Sequence, residues 1–169
     1  MKARATQGRR PETPDDETMR TERTFLTRVK PEWVDHYGHM NLAYYLVAFD
    51  MACDVLWPML NLGPKFRARG FGTFCGESWQ AYTREVTLNA PLACESELLS
   101  FDDKRFLARH VMYHAEEGWE VAQNEVLYLC VDLEKRRVTT WPEDVLVRCR
   151  ALATGAPAKR LALRRRDQA

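Results

Sequence analysis

Near the start of the chain lies a segment whose groups can perform acyl-transfer chemistry, Asp35-His36-Tyr37-Gly38-His39-Met40-Asn41. The Asp35 carboxylate can attack a carbonyl carbon directly, or it can activate a water molecule that does so. Gly38 lets the backbone approach a ligand closely. The free N–H groups around Gly38, His39 and Met40 open a helix, carry the positive end of its dipole and can hydrogen-bond a developing oxyanion. The segment therefore predicts a site that hydrolyses an activated acyl group.

Each of these side chains has a second interpretation that the sequence leaves open. Asp35 either takes part in catalysis or only caps the helix that follows it. His39 is either a general base or a buried histidine that hydrogen-bonds the loop backbone. Asn41 either contacts the substrate or caps the helix and holds the loop in place. Asp50, further along the helix, faces either the pocket or a second subunit.

The element that must position this segment is a helix predicted over residues 41–61. Apolar residues recur there at helical spacing, as in Tyr45, Phe49, Ala52 and Leu56. Gly63 and Pro64 then form a usual stop signal. The helix is apolar on nearly every side, which is typical of a buried helix, so the rest of the chain must wrap around it.

The elements that cover the helix are strands predicted before and after it in the sequence. Each strand ends at a proline, an aspartate pair or a glycine-containing turn. The predicted strands cover residues 24–30, 73–88, 92–101, 105–115 and 119–133, with a short one near 137–141. One strand, one long helix and then four or five antiparallel strands predict an α+β fold, with a curved sheet of five to six strands around one central helix.

Composition limits the remaining choices. The 169 residues carry a formal net charge of +1, which gives no electrostatic footprint for nucleic acid. We expect a disordered leader over residues 1–22, one domain over 23–150 and a disordered basic tail over 151–169. No signal peptide or membrane span is predicted, so a cytoplasmic protein is expected. The five cysteines have no metal-ligand spacing, so we expect mostly buried thiols, with neither metal nor cofactor.

At this point the sequence resembles a known family. The pattern Asp-x-x-Gly-His-x-Asn, followed by Tyr45 and Asp50, is similar to the signature of hotdog-fold acyl-CoA thioesterases of the 4-hydroxybenzoyl-CoA thioesterase-like type. Further stretches are similar to the branch associated with carnitine breakdown, which acts on betainyl-CoA, and they include Glu77-Ser78, Tyr82, Glu85, Asp103-Lys104-Arg105, His114 to Gly118, Glu125 and Val131-Asp132. The similarity covers roughly residues 25–142.

The resemblance implies a hotdog fold, hydrolysis of an acyl-CoA thioester, catalytic roles for Asp35 and Gly38, and a homodimer or dimer of dimers. Nearby aromatic residues are either core or a cation–π box for a quaternary ammonium group. The candidates for substrate binding are Trp33, Tyr45 and Trp79, with Glu77 as the accompanying carboxylate. Lys104 and Arg105 are candidates for the phosphates of coenzyme A.

Two other functions stay open. The first is a hotdog enzyme that acts on an acyl carrier protein, with a basic surface for that acidic partner. The second is a hotdog protein that binds an acyl-CoA without turning it over. Binding of phosphate or RNA by the run Arg164-Arg165-Arg166 ranks below both.

Overall fold

The computed structural model describes residues 20–163, so most of the predicted leader and the run Arg164-Arg165-Arg166 lie outside the described residues. The strands are β1 (Thr24–Arg28), β2 (Phe71–Tyr82), β3 (Pro91–Phe101), β4 (Arg105–His114), β5 (Glu120–Asp132) and β6 (Arg137–Val138). The helices are α1 (Leu42–Met59), α2 (Pro64–Ala68) and α3 (Glu143–Leu152), and a 3₁₀ turn covers Pro31–Trp33.

The strands form one antiparallel sheet in the order β1-β3-β4-β5-β2, with β6 paired to the end of β5. α1 packs against the inner face of this sheet, on β1, β3 and β4. The predicted arrangement, one long helix against an antiparallel sheet of five to six strands, is confirmed. β2 ends at Tyr82, earlier than the predicted residue 88, because the chain turns there and both Thr83 and Arg84 donate to the carbonyl of Val121.

α1 is buried along one side only, which differs from the prediction of a helix buried nearly all round. Its buried side carries Tyr45, Ala48, Phe49, Ala52, Cys53 and Leu56. On the other side Leu42 is 66% exposed, Leu46 46% and Val47 45%. The exposed side of α1 is therefore apolar as well, and the sheet of its own chain does not cover it.

The core divides into two clusters along α1. The first surrounds the start of the helix and contains Trp33, Met40, Tyr45, Val86, Leu92 and Met112. The second surrounds its end and contains Leu60, Phe66, Phe106, Tyr128 and Trp141. α3, which the sequence analysis did not predict, adds Val145 and Cys149 to this second cluster. Four cysteines are buried free thiols as predicted, whereas Cys75 on β2 is exposed.

Residues 153–163, which we call the C-terminal arm, lie across the outer face of the sheet. The sequence analysis expected a disordered tail from residue 151, whereas in the structure this segment makes specific contacts with the sheet. The N–H groups of Thr154 and Gly155 donate to the carbonyls of Leu98 and Leu99 on β3. Further along, its side chains cover a small apolar cluster of the sheet formed by Leu99, Leu107 and Leu127.

Candidate active site

The loop before α1 is folded back on itself by backbone hydrogen bonds, which fix Asp35 in front of the helix. The N–H of Asp35 donates to the carbonyl of His39 (3.0 Å), and the N–H of Gly38 donates to the carbonyl of Asp35 (3.0 Å). Gly38 has a φ of +85°, a conformation that residues with side chains rarely adopt. The half-buried Asp35 accepts a hydrogen bond from the N–H of Tyr37 at Oδ1 (2.9 Å), so its charged oxygen is held in a defined direction.

Three backbone N–H groups were expected to be free at this loop, those of Gly38, His39 and Met40, but in the structure only one of them is without a hydrogen-bond partner among residues 20–163. The N–H of Gly38 is used within the loop, and the N–H of Met40 donates to the carbonyl of Val86 (2.8 Å). The N–H of His39 lies between them and has no hydrogen-bond partner among residues 20–163. His39 therefore supplies the backbone donor that an oxyanion at this loop can use.

Asn41 acts as the cap of α1, one of the two interpretations left open. Its side-chain Oδ1 accepts the N–H of Ala43 (3.1 Å), and its own N–H donates to the carbonyl of Trp33 (2.8 Å). Trp33 itself is buried and stacks on Tyr44 with ring centroids 5.4 Å apart. Both residues thus support the loop, and the buried Trp33 presents no free face to a ligand.

Tyr45, one turn into α1, contacts the loop region and the end of β2 at once. It is only 4% exposed, and its ring meets the ring of Tyr82 edge to face, with centroids 5.0 Å apart. Burial raises the pKa of the Tyr45 phenol, and the nearby Tyr82, Glu85 and Asp35 raise it further. His39 Nδ1 lies 3.3 Å from Glu85 Oε2. We call the group formed by Asp35, His39, Tyr45, Tyr82 and Glu85 the mouth.

Glu77 and Trp79 do not join the mouth, because they lie on the outer face of the sheet. Trp79 is paired directly with Glu125, and Glu77 with Leu127, which packs beneath the C-terminal arm. Directly paired residues share a face of the sheet. The guanidinium of Arg160 in the arm lies 6.0 Å from the Trp79 ring. Within a single chain Glu77 and Trp79 are therefore not brought together with Asp35, and their role in substrate binding stays a prediction.

Comparison with known proteins identifies the family. A family model described as the thioesterase-like superfamily matches residues 29–149. A betainyl-CoA thioesterase of Pseudomonas aeruginosa is 35% identical over 131 residues, which cover 77% of this chain and 82% of that protein.

The chain belongs to the thioesterase-like superfamily. Two solved structures support the fold of this thioesterase. A putative thioesterase of Pseudomonas putida KT2440 is 26% identical, with a TM-score of 0.66 over 86% of this chain and 96% of the other. A Staphylococcus aureus protein solved in complex with CoA is 20% identical, with a TM-score of 0.68 over 83% and 91% of the two chains. The predicted hotdog fold is confirmed.

Lys104 and Arg105 lie at the far end of the thioesterase from Asp35. They follow the turn between β3 and β4, where the carbonyl of the neighbouring Asp103 accepts the N–H of Trp141 in the second core cluster. The Arg105 guanidinium binds the carboxylate of Asp102 (2.6 Å), which lowers the pKa of Asp102 against the opposing effect of burial. Within one subunit these two cations and Asp35 are therefore not brought together.

Tyr82 and Glu85 belong to the mouth of the thioesterase, but the sequence had predicted a site role for neither. The alternation of side chains along β2 could have placed Tyr82 on the face that α1 covers, because Ser78, Gln80 and Tyr82 share that face. That signal was ambiguous because the opposite face also carries a large aromatic side chain, Trp79. A bulge between Cys75 and Glu77 shifts the register as well, so counting from the start of the strand gives the wrong face.

Proposed function

We propose that this thioesterase hydrolyses a small acyl-CoA thioester to the free acid and coenzyme A, with Asp35 as its catalytic residue. The observation that carries the proposal is the position of Asp35 at the entry of α1, on the same short loop as the free N–H of His39. A carboxylate and a free backbone donor are the two groups that hydrolysis of a thioester requires.

Two routes are open to Asp35. In the first, its carboxylate attacks the thioester carbon, coenzyme A leaves as the thiolate, and water then hydrolyses the resulting anhydride. In the second, Asp35 takes a proton from a water molecule that attacks the same carbon, and the thiolate leaves in the same way. In both routes the N–H of His39 stabilises the oxyanion. After a single turnover in heavy-oxygen water, label in the Asp35 carboxylate identifies the first route, because it arises only when water attacks the Asp35 carbonyl of the anhydride.

For the acyl group we propose betaine, so that the substrate is betainyl-CoA, an intermediate of carnitine breakdown. The similarity to the Pseudomonas aeruginosa betainyl-CoA thioesterase supports this choice. The mouth supports it too, because it combines the carboxylates of Asp35 and Glu85 with the rings of Tyr45 and Tyr82. Carboxylates and aromatic rings together suit a quaternary ammonium group.

The proposed active form is a homodimer. Among residues 20–163 no strand pairs with the free edge of β2, which is twelve residues long and carries the exposed Phe74. The uncovered side of α1, with Leu42, Leu46 and Val47, adds an apolar surface. An open strand edge and an apolar helix side in one molecule favour association with a second copy.

α1 has the length and composition of a membrane span, but it packs as the core helix of a soluble domain. A cytoplasmic location stays a prediction.

The proposal is tested with purified protein and a panel of acyl-CoA esters that carry short, aromatic and betainyl acyl groups. We expect release of free coenzyme A, fastest from betainyl-CoA. Sedimentation at the assay concentration should give the mass of a dimer. Binding of every ester without thiol release would contradict the catalytic function, and a fully active monomer would contradict the proposed assembly.

A further inference from the structure

At the mouth, two residues outside the predicted catalytic set lie on its exposed side. Tyr82 is the last residue of β2 and is 49% exposed, although its ring contacts the buried Tyr45. Its hydroxyl donates to Gln80 Oε1 (3.1 Å), which fixes the ring along the strand. Glu85 follows three residues later, and 67% of its side chain is exposed. The two side chains thus border the open side of the mouth rather than its interior.

We propose that Tyr82 and Glu85 recognise the positively charged end of the acyl group and so determine the preference of the enzyme for cationic substrates. This inference rests on the proposed thioesterase function, which it deepens by assigning substrate selection to two named side chains. Asp35 performs the chemistry, whereas Tyr82 and Glu85 select which acyl group reaches it.

The charges of the mouth support this assignment. His39 links Asp35 and Glu85, because its carbonyl accepts the N–H of Asp35 and its ring lies 3.3 Å from Glu85 Oε2. Both carboxylates also raise the pKa of the buried Tyr45 phenol, although less than burial does. The cationic candidate within the mouth is His39, and its Nδ1 faces Glu85 at 3.3 Å. With two carboxylates and at most one imidazolium, the mouth attracts a cation and repels an acyl group that carries its own carboxylate.

The half-exposed ring of Tyr82 supplies the second part of the recognition. A quaternary ammonium group has no N–H to donate, so it is bound by charge and by aromatic faces rather than by hydrogen bonds. An exposed carboxylate alone would bind any cation weakly in water. An aromatic ring beside a carboxylate is more selective, because the ring also excludes water from the methyl groups of the ligand.

Glu85 has one other role that the geometry allows, which is to orient the His39 ring without touching the substrate. The two roles differ in what they predict. Orientation of His39 affects turnover of every ester equally, whereas recognition of a cation affects only esters that carry a positive charge. A pair of substrates that differ in charge alone therefore separates them.

Such a pair exists in betainyl-CoA and tert-butylacetyl-CoA, whose acyl groups have the same shape but carry a central nitrogen cation or a neutral carbon. We expect Tyr82→Leu to lower kcat/KM for betainyl-CoA by about 2- to 30-fold, the range of one cation–π contact, and to change the neutral ester by less than about 2-fold. Tyr82→Phe keeps the ring and should keep the preference.

Glu85→Gln should lower kcat/KM for betainyl-CoA several-fold and leave the neutral ester nearly unchanged. Its effect should shrink as salt is added, because an exposed carboxylate is screened. Glu134→Gln removes an exposed carboxylate from the turn after β5 and serves as the matched control, with no expected change for either ester. Circular dichroism and thermal unfolding establish that each variant is folded.

Equal losses for the two esters in Glu85→Gln and Tyr82→Leu would overturn the recognition role, while the proposed thioesterase function would stand. A wild-type enzyme that hydrolyses the two esters equally well would overturn it in the same way. If the wild type released coenzyme A from neither ester, nor from any other ester of the panel, the proposed function itself would fail, and the recognition role with it.

Discussion

The inner and outer faces of the sheet both bury polar groups, but they satisfy those groups in different ways. On the inner face, beneath α1, the fully buried His110 bonds Ser96 Oγ through Nδ1 (2.7 Å), and Cys53 Sγ lies 3.1 Å from the Tyr128 hydroxyl. These groups are neutral, since burial lowers the pKa of His110 to about 4.

The outer face instead carries a buried ionic network. The Arg109 guanidinium lies between the carboxylates of Glu97 (3.0 Å) and Glu125 (3.0 Å). Glu125 has no exposed surface and also accepts N–H groups of Lys159, Arg160 and Leu161 from the C-terminal arm.

The difference indicates a division of roles between the faces. Because the buried groups of the inner face are neutral, the charge near a bound substrate is determined mainly by the carboxylates of the mouth. On the outer face, charges can be buried because the arm and Arg109 pair with them, and no ligand has to approach. Changes at the mouth should therefore alter activity, and changes in the outer ionic network should alter stability without altering turnover.

The largest effect should come from Asp35→Asn, which keeps the shape of the side chain and removes its charge. We expect kcat/KM to fall roughly 10²–10⁴-fold, as is typical when a catalytic acid or base is lost. The midpoint of thermal unfolding should stay close to that of the wild type, because Asp35 accepts its one described side-chain hydrogen bond at an oxygen that asparagine retains. Wild-type turnover by the folded variant would remove Asp35 from the mechanism.

On the outer face, Glu125→Gln should reduce the free energy of unfolding by about 3 kcal/mol, because it leaves Arg109 with one carboxylate fewer in a buried network. Turnover by the folded fraction should not change. Urea denaturation monitored by tryptophan fluorescence measures the first quantity, with Glu134→Gln as the exposed control. A loss no greater than that of the control would mean that the ionic network does not hold the arm.

Acidification should destabilise the protein through the inner face first. His110 has a folded pKa of about 4, below its ordinary value of 6.5, so the unfolded state binds a proton that the folded state does not. Its contribution to stability is complete above pH 6.5 and decreases as the pH falls toward 4, by about 2 kcal/mol at pH 5. Urea denaturation at each pH measures this slope. In His110→Asn the free energy of unfolding should become nearly independent of pH between pH 7 and pH 5, whatever the absolute stability of the variant.

Glu125 should affect the pH dependence of stability only at lower pH than His110 does. Burial alone would raise the pKa of Glu125, but the N–H groups of Lys159 and Arg160, together with Arg109, lower it below the ordinary value of 4.5. A lowered carboxylate pKa gives stability that is present above that ordinary value and is lost as the pH falls through the folded pKa. Glu125→Gln should therefore leave the pH dependence of the free energy of unfolding unchanged between pH 7 and pH 5. Below pH 5 the variant should lose less stability on acidification than the wild type does.

The smallest effect should come from two changes on the outer side of β2, Trp79→Leu and Glu77→Gln. Both residues share that face with Leu127 or Glu125, so neither should change the ratio of kcat/KM for betainyl-CoA to that for tert-butylacetyl-CoA by more than about 2-fold. The same pair of assays used for Tyr82 and Glu85 provides the measurement. A loss of preference in Trp79→Leu would break the division between the faces.

The sequence predicted the fold well because its signals were local and strong. The helical spacing of Tyr45, Phe49 and Ala52 and the turns between strands fixed the element order. α3 was missed because Glu143–Leu152 is short and its apolar side consists of few residues, among them Val145 and Cys149. The arm was missed because its stabilising contacts, such as Lys159 N–H to Glu125, join residues 34 positions apart and leave no local pattern.

For the site, the sequence predicted the loop but only part of its surroundings. Asp35 and Gly38 were predicted because their types and spacing have a direct chemical meaning, and their catalytic roles stay a prediction. The sequence did not show on which face of β2 Glu77 and Trp79 lie. A strand with aromatic residues on both faces does not reveal which face turns inward, and the bulge after Cys75 prevents the face from being counted along the strand. The positions of Lys104 and Arg105 were not predictable either. The sequence does not show that these residues lie near the end of α1, whereas Asp35 lies at its start.

The Glu125 contact with the arm has a consequence for the order in which the protein is made. A ribosome makes Lys159 34 residues after Glu125 of β5. At about 5–20 residues per second this delay lasts roughly 2–7 seconds. During that interval the Leu99, Leu107 and Leu127 cluster is uncovered and Glu125 has only Arg109 as its partner. The outer face is therefore the last part of the nascent chain to close, and a message truncated before residue 159 yields a sheet that stays open to chaperones and proteases.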